Sequence, residues 1–504
     1  MKAKRSIYNL IAALVSQGVI MILGFIIPKL TLTNYGSETN GYMTMVSQVY
    51  AYIGLLEAGL STAVVQALYA PVASNNKEEI SSVINAAQKY YMKIARYYAI
   101  AVLTSSIIVP LFINTSLSKI EMSIYFLLFG VSNVINFCFT AAMRPLLLAE
   151  GKNYVNSNIT LVFHISSQMA KIVLLMCGTN IVILQLVYSI INITQIGVYY
   201  FYFKKTYKWI NKKISPSNKA IKQRNAFFWQ QISNLIFSCT DIMLLSFFCD
   251  LKVASVYTVY MLVFNSLSTV MSTITGSTQF ILGQEYNSNR ERYVKVHRIY
   301  ESIIVTIAFS LFSVAVLLTI PFIKIYTSSV TDINYIDYLL PILFCVNGLL
   351  ATCKGTSLCL INFSFHAKQT MNRTFLEAGL NLTISLVLVS KLGIKGVLIG
   401  TGVALSYRLI DTLFYSNHVI LKTSIMPTAK LYTVNFVMFA IIVYISMIND
   451  IVINSWGKFI VAGLFCSIIC GTVYLFINIF INIKLYKEVF GILIRKLKGR
   501  KNNE

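Results

Sequence analysis

Apolar runs of about 20 residues, the length an α-helix needs to cross a hydrocarbon core, recur from one end of this chain to the other. That spacing leaves few folds open, because a backbone inside a bilayer must satisfy its own hydrogen bonds, as helices do. Composition agrees: 56% of the 504 residues are hydrophobic and 12% charged, more apolar surface than a soluble domain could hide. Only 8 prolines and 24 glycines interrupt the runs. The first run is a full span with no small-residue cleavage site after it, so no cleavable signal peptide is expected. The fold class that follows is an all-α integral membrane protein.

The pattern predicts fourteen transmembrane helices, at 8–30, 41–70, 89–114, 121–143, 154–177, 180–202, 227–249, 253–282, 300–325, 335–362, 371–392, 394–418, 432–454 and 456–482. The formal charge of +24 could suggest nucleic acid, but its distribution argues otherwise. With the N-terminus placed in the cytoplasm and the spans alternating, 32 of the 42 lysines and arginines fall on the inner side and seven outside. This positive-inside asymmetry puts both termini in the cytoplasm. It makes anionic membrane lipids, not nucleic acid, the partner of the basic charge.

Sliding the second half over the first by 215 residues aligns landmarks: Tyr42 falls on Tyr257 and Gly178 on Gly393. Six spans, a basic linker and six spans in the same orientation read as parallel repeats. The expected organisation is an N-terminal six-helix lobe (1–202), a basic cytoplasmic linker (203–226) and a C-terminal six-helix lobe (227–418). Two additional transmembrane helices (432–482) and a basic cytoplasmic tail (483–504) follow. Two such lobes would enclose a central cleft. In the tail, Leu485, Val489, Ile492 and Leu493 alternate with basic residues, as in an amphipathic helix on the inner leaflet; a plain stop-transfer tail fits equally well.

Seven ionisable residues interrupt the apolar segments: Glu57, Lys171, Asp241, Lys354, Glu377, Arg408 and Asp411. A charge in a bilayer costs several kcal/mol unless it faces protein or water, so the group points to a polar interior and a carrier. Lys171, Lys354 and Arg408, with Arg144 at the inner end of the fourth span, are the candidates for binding an anionic substrate such as a pyrophosphate or acidic sugar. Glu57, Asp241, Glu377 and Asp411 are the candidates for ion coupling, since a carboxylate there can take up a proton or coordinate Na⁺. Each has a structural alternative. Arg408 and Asp411 are three residues apart on one helix and can pair locally. Lys171 can snorkel outward. Arg144 can be a cytoplasmic anchor, and the carboxylates can pair with cations on other helices.

The nine cysteines form no CxxC and no cluster with histidine, and read as small packing residues. His164 reads as a hydrogen-bonded packing residue. Tyr8, Tyr50, Tyr69, Tyr90, Tyr91, Tyr199 and Tyr200 flank span ends, as interfacial aromatic belts do. No phosphate-loop motif occurs, and neither a cofactor nor a metal is expected.

Several segments carry a resemblance: Asn9 with Gln17, FIIPKL at 25–30, YGSETNGYMTMVSQVYAYIGLLEAGLSTAVVQALYAPVA at 35–73, and the Asp241 segment followed by VASVYTVYMLVFN at 253–265. Together with the doubled six-span pattern, the chain resembles the polysaccharide transporter branch of the multidrug/oligosaccharidyl-lipid/polysaccharide (MOP) exporter superfamily, and more narrowly a Wzx-type O-antigen or capsule repeat-unit flippase. The resemblance implies translocation of undecaprenyl-pyrophosphate-linked oligosaccharide across the bacterial cytoplasmic (inner) membrane. It also implies a cationic lumen, which Lys171, Lys354 and Arg408 match in type. Coupling to a proton or sodium ion follows by analogy. So do a polysaccharide polymerase and a chain-length regulator as partners.

The alternatives within the superfamily are a lipid II flippase and a drug exporter. An exporter of cationic drugs should have a cleft dominated by acids, whereas here cations and acids are mixed. A polytopic enzyme such as a polysaccharide polymerase is expected to carry a sizeable outer loop, and the predicted outer loops are short. A scaffold of the synthesis complex would not need buried charges.

Overall fold

In a computed structural model of the chain, the described residues are 2–504 except 114, 116, 217–234, 236–238, 289, 365, 367, 368, 450, 484, 485 and 487–504; side chains are described from Leu23 onward, apart from 153, 276, 277, 279–281, 283, 284, 287, 288 and 363. All regular structure among them is helical. The helices are α1 (Lys2–Ile53), α2 (Leu60–Ala73), α3 (Lys77–Phe112), α4 (Lys119–Phe139), α5 (Arg144–Ala149), α6 (Asn153–Met176) and α7 (Ile181–Thr206). There follow α8 (Cys239–Phe248), α9 (Leu251–Ser288), α10 (Arg290–Tyr326), α11 (Leu339–Phe363), α12 (Met371–Leu392), α13 (Ile394–Phe414), α14 (Met426–Ile448) and α15 (Trp456–Ile481).

Eleven of the described helices are long and apolar enough to cross a membrane, and a twelfth if Leu23–Leu56 and Leu60–Ala73, bent by 45°, count as one span. Of the fourteen expected spans, 8–30 falls largely, and 227–249 in its first half, on residues whose side chains or placement lie outside the description. The expected tail helix lies outside it as well. Large apolar side chains stay exposed along the helices; on α15, Ile460, Val461, Leu464, Phe465 and Ile468 are each more than 60% exposed. A face of that kind suits lipid, not water. The chain is a multi-pass membrane protein.

The chain divides into two compact units, Met1–Ser255 and Val256–Glu504, with the division inside α9. Gly178 precedes α7 with φ +67 and Gly393 precedes α13 with φ +53, a backbone region that glycine enters without steric cost.

The core of the first unit is rich in tyrosine. Tyr42, Tyr91, Tyr125 and Tyr199 are fully or almost fully buried, and Tyr50 nearly so. Their hydroxyls are satisfied within the protein, as buried phenols require: Tyr42 donates to the Met122 carbonyl at 2.5 Å and Tyr50 to the Phe126 carbonyl at 2.6 Å. Of the residues read as an interfacial belt, Tyr50, Tyr91 and Tyr199 therefore belong to the core, while Tyr69 and Tyr200 are exposed. Gly130 lets Tyr50 in, since a Cβ there would lie 2.5 Å from the Tyr50 hydroxyl. The first part of the linker docks on α3: Ser82 donates to the Ser215 carbonyl, and Asn85 to those of Asn211 and Ile214.

In the second unit α14 and α15 pack on α10 through buried polar pairs. Asn435 and Asn478 exchange amide hydrogen bonds at 2.8 and 3.1 Å, and Asn478 donates to Thr306 at 2.8 Å. Ser313 and Tyr474 meet at 2.9 Å. With lipid outside, apolar helices gain little from meeting each other, and such polar contacts with close packing supply the preference.

Candidate functional site

Helices α12 and α13 form a closely packed hairpin in the second unit. Gly396 and Gly400 make it so: a Cβ at Gly396 would lie 2.5 Å from the Leu388 carbonyl oxygen, and one at Gly400 2.3 Å from Ser385 Oγ. Small residues four apart allow backbones this close. Asn347 of α11 donates to the Leu398 carbonyl at 3.0 Å, tying α11 to α13.

Where these three helices meet, five charges form one continuous chain. Lys354 Nζ (α11) lies 2.7 Å from Glu377 Oε1 (α12). Glu377 Oε2 lies 3.5 Å from Arg408 Nε (α13). Arg408 Nη1 meets Asp411 Oδ2 at 2.5 Å, one turn on. Asp411 Oδ1 meets Arg373 Nη1 (α12) at 2.5 Å. Arg408 also donates to Thr374 Oγ1 at 3.0 Å, and Arg373 lies over the Tyr415 ring at 4.9 Å. Arg408 is 1% exposed and Glu377 5%, whereas Arg373 keeps 40% of its side chain open.

Among the described residues, this chain holds three cations and two carboxylates. Charges this buried are tolerated because each is paired and hydrogen-bonded. The arrangement can exchange a carboxylate partner for an anionic ligand, since guanidinium and ammonium donors accept phosphate as readily as carboxylate.

The four sequence candidates Lys354, Glu377, Arg408 and Asp411 are thus brought together. The local Arg408–Asp411 pair is formed, and Lys354 and Glu377 are each other's partners. Arg373 escaped notice in the sequence because it was counted with the basic residues of an inner connection. Its spacing of four from Glu377 on one helix face was the available signal.

The other four candidates lie in the first unit. Glu57 does not sit within a helix, as its place in an apolar run had implied. It falls in the break between α1 and α2, after the tight turn Gly54–Leu56 and before Gly59, whose φ is +77. Glu57 Oε1 accepts from the Tyr91 hydroxyl at 2.9 Å, and Arg144 is close enough to interact with it electrostatically. Arg144 opens α5 before Pro145 and covers the Tyr199 ring at 4.3 Å; its Nε is buried with no hydrogen-bond partner among the described residues.

Lys171 Nζ sits 3.9 Å from the Tyr188 ring centroid on the neighbouring helix, a cation–π contact. Asp241 is buried on α8, beside Thr240, whose hydroxyl meets that of Tyr52 at 2.6 Å. His164 lies 3.4 Å from Gln168 on its own helix. No group of His, Cys, Asp and Glu suited to a metal occurs among the described residues.

No protein-family model matches the sequence, and no curated protein sequence matches it. Solved structures do match its fold. A MATE-family multidrug transporter of the MOP superfamily, in an inward-facing conformation, superposes with a TM-score of 0.64 at 16% identity, over 80% of this chain and 95% of that one. The lipid II flippase MurJ, in an inward closed conformation, gives 0.64 at 16% identity over 92% and 98%. The MATE multidrug transporter DinF-BH gives 0.59 at 17% identity over 82% and 96%. The chain has the fold that these MOP-superfamily transporters and the MurJ flippase share.

Proposed function

We propose that this chain is a MOP-superfamily flippase of the bacterial cytoplasmic membrane, and that it moves undecaprenyl-pyrophosphate-linked oligosaccharide units to the outer leaflet by alternating access. The observation that carries this reading is the chain of five charges joining α11, α12 and α13, to which the described residues give three cations and two carboxylates. A pyrophosphate needs desolvated cations, and inside the apolar part of the helices Arg408 offers a forked donor pair and Lys354 a compact ammonium. A carrier for cationic drugs would need the opposite excess. The fit to MurJ over 92% of the chain supports a lipid-linked substrate and keeps lipid II as the nearest competing one. Glu57, Asp241, Glu377 and Asp411 are proposed to couple transport to a proton or sodium gradient, with both termini in the cytoplasm.

Deletion and complementation in the native host test the reading. Loss of surface polysaccharide, with complete repeat units accumulating on undecaprenyl pyrophosphate at the cytoplasmic face, is the expected result. Single unpolymerised units appearing outside would instead make the chain a polymerase or its partner.

A further inference from the structure

Glu301 lies near the start of the apolar part of α10 and takes no part in the chain of charges. It is 3% exposed. Thr428 donates to its Oε2 at 2.8 Å and Tyr432 to its Oε1 at 2.7 Å, both from α14. Among the described residues no lysine, arginine or histidine forms an ion pair with it.

The titratable groups that face it are Arg298, Tyr293 and Tyr300 on its own helix, Cys353 on α11 and Tyr432 on α14. An ionised carboxylate buried with two neutral donors and no paired cation carries a large desolvation cost. A proton removes that cost. Lys295, less than two turns earlier on α10, is exposed.

The surroundings can respond to that proton. The single hydroxyl hydrogen of Tyr432 has three acceptors in reach: Glu301 Oε1 at 2.7 Å, Thr356 Oγ1 at 2.9 Å and the Cys353 carbonyl at 3.2 Å. The last two belong to α11. An ionised Glu301 draws the hydrogen to α10. When Oε1 carries a proton, the acid becomes a donor, and the Tyr432 hydrogen turns to α11.

We propose that Glu301 is a proton-binding site separate from the charge chain, and that its occupancy moves the hydrogen bond of Tyr432 between α10 and α11. The step forms one O–H bond on a carboxylate oxygen while one O–H bond of a hydronium ion breaks and leaves water, and it gives a neutral acid. It extends the transport reading with a site where α10 meets α14, and it does not depend on which substrate is carried.

The test is infrared difference spectroscopy of the full chain in lipid vesicles, recorded between acidic and alkaline buffer without substrate. The expected result is a carboxylic-acid carbonyl band that titrates, disappears in Glu301→Gln, survives in Glu377→Gln, and shifts in frequency in Tyr432→Phe. Spectra of the wild type and Glu301→Gln that coincide would overturn the proposal. So would a band that sodium chloride removes at fixed pH, which would make the site one for a metal cation. If Glu301→Gln does not fold, the Tyr432→Phe shift decides, and an unmoved band counts against the site. Because no substrate is present, failure here is distinguishable from failure of the flippase reading.

Discussion

Glu377 is shared by two cations from two different helices: Lys354 of α11 at 2.7 Å and Arg408 of α13 at 3.5 Å. Removing that carboxylate leaves both cations uncompensated in a buried place. Glu377→Ala is expected to destabilise the protein by about 3–5 kcal/mol, the usual cost of breaking a buried pair. Thermal unfolding in detergent checks it, and a loss under about 1 kcal/mol would mean that water already screens the site.

The α12–α13 contact offers a second test. At Gly396 the obstacle to a side chain is the Leu388 backbone, 2.5 Å from the Cβ position, and backbone cannot rotate away. Gly396→Ala is expected to cost about 1–3 kcal/mol, the range for overpacking, and to loosen the hairpin that carries Glu377 and Arg408. Gly457→Ala, where nothing lies within 4 Å, is the control and should be close to neutral.

How much of this was legible in the sequence is clearest at two places with the same five residues. Leu-Glu-Ala-Gly-Leu occurs at 56–60 and again at 376–380. At the first, Gly59 takes a positive φ and the helix breaks, leaving Glu57 in a turn. At the second, α12 runs through uninterrupted and Glu377 faces Lys354 and Arg408. Identical local propensity gives two outcomes because tertiary packing decides. Spans and embedded charges could be read because apolar length and charge are properties of the chain itself. Which charge meets which depends on helix rotation and approach, and those are set by contacts such as Gly396 on Leu388. Glu301 was passed over because it stands at a span's edge. Nothing in its neighbours along the chain announces Thr428 and Tyr432, more than 120 residues away.

The attachment of α15 makes a third prediction. Asn478 bonds both Asn435 and Thr306. Asn478→Leu is expected to cost about 1 kcal/mol, the scale of interhelical hydrogen bonds in membranes. Thr306→Val should cost less, because Asn478 keeps its pair with Asn435. A double-mutant cycle on Asn435 and Asn478 isolates the shared part.

A fourth concerns pH at the turn between α5 and α6. Lys152 Nζ lies 2.8 Å from Glu150 Oε2, and this hydrogen bond raises the lysine above its ordinary range. A raised lysine gives stability that is fully present below the unfolded value of about 10.4 and is lost as pH rises through the folded one. Between pH 6 and about 9 the pair therefore adds no pH dependence. Its exposed setting limits its worth to under about 1 kcal/mol. Stability of Lys152→Ala should track the wild type across that range, and a divergence below about pH 9 would contradict the assignment.

Transbilayer movement of undecaprenyl-pyrophosphate-linked oligosaccharide, in vesicles containing the purified chain, tests the central claim most directly. The account predicts movement by the wild type, and its loss in Lys354→Ala and Arg408→Gln variants that retain membrane insertion. Movement at the wild-type rate in both variants, or none by the wild type under a proton or sodium gradient, would contradict it.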